Sequence, residues 1–414
     1  MSLNATPSSD RVHIGIFGKR NAGKSSIINA ITGQSLAIVS EVKGTTTDPV
    51  SKAMELLPLG PVVMIDTPGL DDEGELGALR VKKSYQVLNK TDIAVLIVDG
   101  ATGVGEAEFA ALRRFREKKI PYVIAVNKCE FLDESLRNAL REKLPDEKNL
   151  IFVSAQKKEN IYELKELIAA QVPADEPTMQ IVGDILEPTD FAVLVVPIDK
   201  AAPKGRLILP QQQTIRDILE ANATAIVTKE NTLKETLEGL GKKPKLVITD
   251  SQAFESVAKD TPEDIMLTSF SILFSRYKGN LLSQVEGVRA LEELRDGDTV
   301  LISEGCTHHR QCDDIGTVKL PRWILQYTGK DVKFAFSSGT EFPDDLSGYR
   351  MVIHCGGCTL NEREMKYRIK CAADQDIPMT NYGICIAYMK GILERSLRPF
   401  PQVAAALNQF SLEQ

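Results

Sequence analysis

Short apolar runs alternate with amphipathic stretches over the first 172 residues of the 414-residue chain. Five runs have the uninterrupted apolar character of strands buried on both faces, and they lie at 12–17, 62–66, 93–99, 122–128 and 150–155. The stretches between and after them have apolar residues at helical spacing, at about 24–32, 75–89, 105–118, 133–143 and 160–171. This alternation predicts an α/β fold with a mostly parallel sheet that helices cover on both faces.

Two breaks in this pattern divide the chain into three predicted α/β domains. The segment 172–178 has two prolines, two acids and no periodicity, and a second break falls at 259–264. After the first break, strands are predicted at 191–199, 225–229 and 245–250, and helices at 215–223 and 232–240. After the second, strands are predicted at 299–305, 351–357 and 378–383, and helices at 281–294, 361–374 and 384–396. The predicted domain ranges are 1–172, 179–262 and 265–414.

The composition narrows the class of protein. The net charge is −7 and there is no basic tail, which argues against nucleic acid as a partner. No apolar run reaches the roughly 18 residues of a membrane span. The first residues lack the basic and apolar regions of a secretory signal. We therefore expect a cytoplasmic protein that binds neither nucleic acid nor a membrane.

Residues 18–25 have the pattern G-x-x-x-x-G-K-S between the first strand and the first helix. Gly18 and Gly23 allow the backbone to curl so that N–H groups face nucleotide phosphates, and the helix start adds its positive dipole end. Lys24 is expected to reach the β- and γ-phosphates, and Ser25 to bind Mg²⁺. The neighbouring residues that we expect to line the phosphates are Asn21, Ala22 and Ser26.

Two later segments complete the predicted triphosphate site. Asp66 ends the second strand and is expected to hold Mg²⁺ through water, while the N–H of Gly69 contacts the γ-phosphate. Thr45 and Thr46 lie in a stretch without a predicted strand, where a switch loop brings Thr46 to Mg²⁺. The residues predicted to act in hydrolysis are Lys24, Thr46, Asp66 and Gly69.

The base-binding residues identify the nucleotide as GTP or GDP. Asn127, Lys128 and Glu130 follow the fourth strand. A carboxylate at Glu130 can accept hydrogen bonds from two guanine N–H groups that adenine does not offer. Ser154 and Ala155 end the next strand and are expected to support the base.

In order and spacing these motifs resemble those of the TrmE-Era-type GTPases across the first domain, which implies a P-loop GTPase that hydrolyses GTP. Two residues depart from the pattern. Glu130 replaces the usual Asp, which we expect to loosen guanine binding, and Leu70 stands where Ras-like enzymes have a water-orienting glutamine. In TrmE-like members an asparagine and a Gly-Thr-Thr loop hold K⁺ beside the phosphates. Asn21 and Gly44-Thr45-Thr46 match, so the resemblance implies K⁺-stimulated hydrolysis.

Cysteine and histidine are concentrated late in the chain. Six of the seven cysteines and three of the four histidines lie between 306 and 385. Cys306 and His308 follow one predicted strand, and His354, Cys355 and Cys358 follow another. Because ligands bind beyond the carboxyl ends of strands in an open α/β sheet, we expect three thiols in one crevice. Spacing alone leaves a redox pair, a zinc site and an iron–sulfur site open.

A GTPase domain, a middle domain and a Cys-x-His…His-Cys-x-x-Cys domain on one chain resemble the HydF family of [FeFe]-hydrogenase maturation GTPases. The resemblance implies a [4Fe–4S] cluster on Cys306, Cys355 and Cys358, with His308 or His354 as a candidate fourth ligand. It also implies a scaffold that receives a di-iron cluster precursor and delivers it to apo-[FeFe]-hydrogenase. The implied partners are the radical-SAM maturases HydE and HydG, and a second copy of the chain in a homodimer made by the middle domain.

Two other functions stay open as alternatives. One is a TrmE-Era-like, RNA-directed GTPase with a zinc-bound accessory domain, against which the acidic balance and the missing basic tail count. The other is a redox-sensing GTPase in which an iron–sulfur cluster gates hydrolysis. An iron-bound, coloured protein would argue against the first of these, and activation of a hydrogenase against the second.

Overall fold

A computed structural model gives the fold of most of the chain. The described residues are 6–33, 49–72, 74–144, 147–172, 179–197, 207–306, 314–339 and 341–411. They fall into two compact units, 1–177 and 178–414, which are treated separately below. Within the described residues, no helix is both long enough and apolar enough to cross a membrane.

The first unit is built on one six-stranded sheet. Its strands are β1 (Val12–Gly18), β2 (Val50–Leu56), β3 (Gly60–Asp66), β4 (Ile93–Asp99), β5 (Tyr122–Asn127) and β6 (Leu150–Phe152). Its helices are α1 (Lys24–Thr32), α2 (Gly74–Val87), α3 (Glu106–Glu117), α4 (Glu134–Glu142) and α5 (Ile161–Ala169). The strand order is β2-β3-β1-β4-β5-β6, with β2 antiparallel and every other pair parallel. The predicted α/β fold is confirmed.

The alternation of side chains along β4 shows how this sheet is buried. Val95 and Ile97 belong to one core cluster, and Leu96 and Val98 belong to another. Because neighbouring residues of a strand point to opposite faces, the two clusters lie on the two faces of the sheet. Both faces are therefore covered, as the continuous apolar runs predict.

The second unit holds two four-stranded sheets. The first has β7 (Phe191–Val195), β8 (Thr224–Thr228), β9 (Leu246–Thr249) and β10 (Met266–Ser269), and the second has β11 (Thr299–Glu304), β12 (Lys333–Ser338), β13 (Met351–His354) and β14 (Met379–Asn381). The orders are β10-β9-β7-β8 and β12-β11-β13-β14, with all pairs parallel. One apolar core includes residues of both sheets, such as Val193 and Ile353.

The helices of the second unit lie between and after these strands. They are α6 (Leu209–Glu220), α7 (Leu233–Gly239), α8 (Phe254–Asp260), α9 (Phe270–Lys278), α10 (Leu281–Gly287), α11 (Leu320–Thr328), α12 (Glu362–Ala373), α13 (Tyr382–Met389), α14 (Leu393–Leu397) and α15 (Pro401–Ser411). The helix predicted at 384–396 is divided into α13 and α14. The apolar pattern does not predict β2, β10, β12, α8, α9, α11 or α15.

The segment at 259–264 is a short helix–strand connection within the middle sheet. Strand β10 lies beside β9, with Met266 opposite Leu246. The predicted domain boundary between 262 and 265 therefore separates β10 from the other three strands of the same sheet. The proline and acids give the connection the composition of a linker. The Arg395 guanidinium nevertheless donates hydrogen bonds of 2.6 and 3.0 Å to the carbonyls of Thr261 and Pro262.

Candidate nucleotide site and cysteine site

The loop between β1 and α1 requires glycine at two positions. Gly18 has φ 149°, and a Cβ there would lie 2.3 Å from the carbonyl oxygen of Ile97. Gly23 has φ 92°, and its Cβ would lie 2.2 Å from Nδ2 of Asn127. Larger residues cannot occupy these positions without moving the backbone or the side chain of Asn127. Helix α1 starts at Lys24, so its N-terminus faces the place where phosphates bind in such loops.

Asn127 connects the predicted base-binding segments to the phosphate loop. Its Nδ2 donates to the carbonyl of Ala22 at 3.0 Å, and its Oδ1 accepts from the N–H of Ala155 at 3.1 Å. Lys128, next in the chain, has a 2.6 Å ion pair with Asp99 at the end of β4. Three motifs that lie far apart in sequence are thus brought together at the carboxyl edge of the sheet.

Lys24 and Asp66 lie half-buried at the end of the loop. The Lys24 ammonium donates to the carbonyls of Gly18 and Lys19, both at 2.9 Å. Burial lowers the pKa of Lys24, and the nearby Asp66 opposes that shift. Burial raises the pKa of Asp66, while a hydrogen bond from Ser25 acts in the opposite direction.

The oxygen atoms at this place fit Mg²⁺. Ser25 Oγ donates to Asp66 Oδ2 at 2.8 Å. Asp66 Oδ1 is buried and has no hydrogen-bond partner among the described residues. A hydroxyl beside a carboxylate with a spare, buried oxygen is the donor set that Mg²⁺ prefers.

The two departures from the GTPase pattern have visible consequences. Glu130 Oε2 is buried and has no hydrogen-bond partner within the described part of the chain. Leu70 is 6% exposed and packs in the core, while its N–H lies 3.3 Å from the carbonyl of Gly18. The Leu70 side chain therefore offers no polar group to an attacking water.

Two acidic residues of this site are absent from the sequence prediction. Asp71 Oδ1 accepts from the backbone N–H of Arg20 in the phosphate loop at 2.7 Å. Glu108 is 1% exposed and accepts from the Lys19 ammonium and from the N–H of Gly105, both at 2.9 Å. For Glu108, the only signal in the sequence is its position three residues after Gly105, which is the spacing of a helix capping box.

Several predicted residues receive no test from the geometry. Thr45, Thr46 and His308 lie outside the described residues. Asn21 is exposed, with φ 61°, and Ser26 is exposed in the first turn of α1. Their roles stay predictions.

The cysteines follow two neighbouring strands of the last sheet. Cys306 lies just after β11, and Cys355 follows β13, which pairs with β11. The Cys355 sulfur accepts from the N–H of Gly305 at 3.1 Å and of Gly357 at 3.4 Å. Gly357 has φ 63°, a conformation that lets the chain turn back between Cys355 and Cys358.

Burial dominates the chemistry of these thiols. It raises the pKa of Cys355 to about 12, and the nearby Cys358 adds to the shift. It also raises the pKa of Cys358 to about 11, to which Cys306 contributes. Three cysteines that follow two paired strands, one of them with two backbone N–H donors to its sulfur, fit an iron–sulfur cluster. Within the described ranges, which exclude 307–313, no group of three or more His, Cys, Asp or Glu side chains is arranged to hold a single metal ion.

His354, a predicted candidate for the fourth iron ligand, has polar contacts at both of its ring nitrogens. Its side chain is wholly buried, Nδ1 lies 2.7 Å from the carbonyl of Cys355, and Nε2 lies 2.9 Å from Nη1 of Arg368. Burial, with the Arg368 charge, lowers the pKa of His354 to about 3. Both ring nitrogens of His354 therefore have a polar partner within the protein.

Three family models match the chain. The model described as "50S ribosome-binding GTPase" matches residues 13–128. That described as "Hydrogen maturase F dimerization domain" matches 181–279, and "Hydrogen maturase F tetramerization domain" matches 283–399. The first confirms the predicted GTPase domain. The other two support oligomerization of the chain, and the sequence motifs do not indicate a tetramerization domain.

Curated relatives match a little over a third of the chain. A tRNA modification GTPase MnmE from Desulforamulus reducens is 31% identical, and the match covers 37% of this chain and 33% of that protein. A GTPase Der from Chloroherpeton thalassium is 34% identical, over 38% of this chain and 39% of its own. An uncharacterized protein from Methanocaldococcus jannaschii is 33% identical, over 37% of this chain and 93% of its own. The chain thus spans about a third of the length of MnmE.

Among solved structures, an Era variant from Aquifex aeolicus bound to GDP·AlF4⁻ covers 55% of this chain and 98% of its own. It is 18% identical, with a TM-score of 0.36.

Proposed function

The chain belongs to the hydrogen maturase F family, and we propose that it is a GTP-hydrolysing scaffold that holds a [4Fe–4S] cluster on three cysteines. On this proposal it receives the di-iron precursor of the [FeFe]-hydrogenase active site and delivers it to the apo-enzyme. The observation that carries the proposal is the grouping of Cys306, Cys355 and Cys358 after two adjacent parallel strands, with backbone N–H donors directed at the Cys355 sulfur.

GTP hydrolysis uses the residues of the first unit. Lys24 lies where the β- and γ-phosphates bind, and Asn127 with Glu130 holds the guanine. Ser25 and Asp66 would hold Mg²⁺, which would neutralise phosphate charge when bound. Because Leu70 cannot orient a water, we expect slow intrinsic hydrolysis.

We expect K⁺ to accelerate this slow hydrolysis through Asn21. The test compares GTP turnover in KCl and NaCl at matched ionic strength, for the wild type and for Asn21→Ala. The wild type should turn over faster in KCl, and the variant should lose that difference. Equal wild-type rates in the two salts would contradict the K⁺ role.

Cluster binding is tested by removing the thiols one at a time. Wild-type protein reconstituted anaerobically with iron and sulfide should become brown, with broad visible absorption. Cys306→Ala, Cys355→Ala and Cys358→Ala should each lose this absorption. Cys371→Ala is the matched control, because this partly exposed cysteine lies beside Asp344 in the same unit and is not a proposed ligand. Full absorption in all three variants would reject these ligands.

Delivery is tested with the loaded protein and an apo-[FeFe]-hydrogenase. We propose that GTP turnover changes the affinity for partners, including HydE and HydG, and does not drive bond formation in the cluster. Lys24→Ala lies in the first unit and should keep the visible absorption of the cluster while activating less hydrogenase. Undiminished activation by Lys24→Ala would show that GTP turnover is not needed for delivery.

A further inference from the structure

A buried polar network lies behind the cysteine loop, residues 355–358. At its centre is Arg368 on α12, whose side chain is wholly buried. The guanidinium donates to Glu364 Oε1 through Nε and Nη2, both at 3.0 Å, and to the carbonyl of Gly339 at 2.5 Å. Its Nη1 lies 2.9 Å from Nε2 of His354. The network therefore joins α12, the turn after β12, and the strand β13 that leads into the cysteine loop.

The direction of each hydrogen bond follows from the chemistry of arginine. A guanidinium has donors only, so His354 Nε2 accepts from Arg368 and the ring proton lies on Nδ1. Nδ1 then donates to the carbonyl of Cys355 at 2.7 Å. The imidazole links the guanidinium to the backbone of the cysteine loop and uses both of its nitrogens to do so.

With this contact, every polar group of Cys355 has a partner. Its carbonyl accepts from His354, its N–H donates to the carbonyl of Ser303 at 2.9 Å, and its sulfur accepts from Gly305 and Gly357. The direction of this thiol is thus set before any cluster binds. Groups that orient a metal ligand in this way contribute strongly to metal affinity.

We propose that Arg368 and His354 are positioning residues that hold the cysteine loop for the cluster, and that His354 is not an iron ligand. This inference rests on the proposed cluster binding. On this inference, the histidine of the His-Cys-x-x-Cys pattern binds the backbone of the cysteine loop and does not bind iron.

The test uses the full-length wild type, Arg368→Met, His354→Asn and the matched control Arg395→Met, all reconstituted anaerobically with iron and sulfide. Arg395 is also mostly buried and donates to backbone carbonyls of the same unit, at Ala258 and Thr261. Cluster affinity is measured by competition with an iron chelator, and melting of the cluster-free protein by circular dichroism. Pulsed electron paramagnetic resonance of the reduced cluster measures nitrogen couplings.

We expect Arg368→Met to lower cluster affinity about 10- to 100-fold, while Arg395→Met lowers the melting temperature and keeps wild-type affinity. His354→Asn retains a donor near the Nδ1 position and should show the same nitrogen couplings as the wild type. If Arg368→Met does not fold, Arg368→Lys replaces it, because it keeps the charge without the forked donors, and its affinity should also fall.

Three results would overturn the inference. The first is wild-type affinity in a folded Arg368 variant. The second is an imidazole coupling that is present in the wild type and lost in His354→Asn, which would make His354 a ligand. The third is a wild-type protein that takes up no cluster, which removes the proposed function and this inference with it.

Discussion

At the residue scale, the nucleotide site is marked by two buried carboxylate oxygens. Asp66 Oδ1 and Glu130 Oε2 have no hydrogen-bond partner among the described residues. An unpaired buried oxygen of this kind costs free energy, which a ligand recovers when it binds there. The two oxygens belong to the residues that the motifs assign to Mg²⁺ and to guanine.

The first prediction concerns Glu130→Gln. A carboxamide cannot accept both guanine N–H groups, so GTP affinity should fall by about 1.5–3 kcal/mol, or roughly 10- to 150-fold. Because the amide N–H can donate to the extra carbonyl of xanthine, XTP affinity should rise. Titration with fluorescent GTP and XTP checks both. Equal losses for the two nucleotides would indicate damage to the loop and not a change of base recognition.

Sequence reveals the nucleotide residues better than the contacts of the cysteine loop. Lys24, Asp66 and Asn127 lie in short motifs whose spacing is tied to one backbone geometry. The contact between Arg368 and His354 has no such spacing, because Arg368 lies on a helix where an arginine ordinarily faces solvent. Only the packing of α12 against the last sheet identifies it as buried.

At the element scale, two glycines allow the turn between β1 and α1 to pack closely against neighbouring residues. The φ angles of Gly18 and Gly23 are positive, and the space beside each is already occupied, by Ile97 O and by Asn127 Nδ2. The loop between β1 and α1 is thus packed directly against the ends of β4 and β5.

Gly23→Ala tests this close fit. The new Cβ should displace the Asn127 amide and lower GTP affinity at least about tenfold, the value of one good hydrogen bond. The control is Gly33→Ala at the end of α1, which has φ 67° but no atom within 4 Å of its Cβ. It should cost about 1–2 kcal/mol of stability from backbone strain and leave GTP affinity unchanged. Equal nucleotide affinities in the two variants would contradict the account.

The strands that the sequence does not predict are stabilised by pairing with neighbouring strands. Strand β2 is mostly exposed and reads VSKAMEL, so it has no continuous apolar run, and its strand conformation comes from antiparallel pairing with β3. The four residues of β10 follow a proline and acids, yet pairing with β9 places them in the middle sheet. Local composition cannot report pairing of this kind.

At the scale of the whole molecule, the second unit shares one core between two sheets. Helix α9 contacts α6 and β10 on the side of the middle sheet, and α12, α13 and β14 on the side of the last sheet. Its Lys278 ammonium is buried and donates to the carbonyls of Cys358, at 3.3 Å, and Leu360, at 2.8 Å. The matched dimerization region therefore reaches the cysteine loop through α9.

Leu273→Ala tests whether the second unit unfolds as one. Leu273 lies on α9 in the shared core, so its truncation should cost about 2–5 kcal/mol and lower amide hydrogen-exchange protection in both β9 and β13. Leu112→Ala in α3 is the matched control and should lower protection in the first unit alone. A Leu273→Ala effect confined to β9 would indicate two independent domains after residue 178.

Mössbauer spectroscopy of wild-type protein reconstituted with ⁵⁷Fe, together with iron, zinc and sulfide analysis, tests the central claim most directly. The account predicts one [4Fe–4S] cluster per chain, with about four iron and four sulfide ions. Stoichiometric zinc without a cluster signal, or iron that remains after Cys355→Ala, would contradict it.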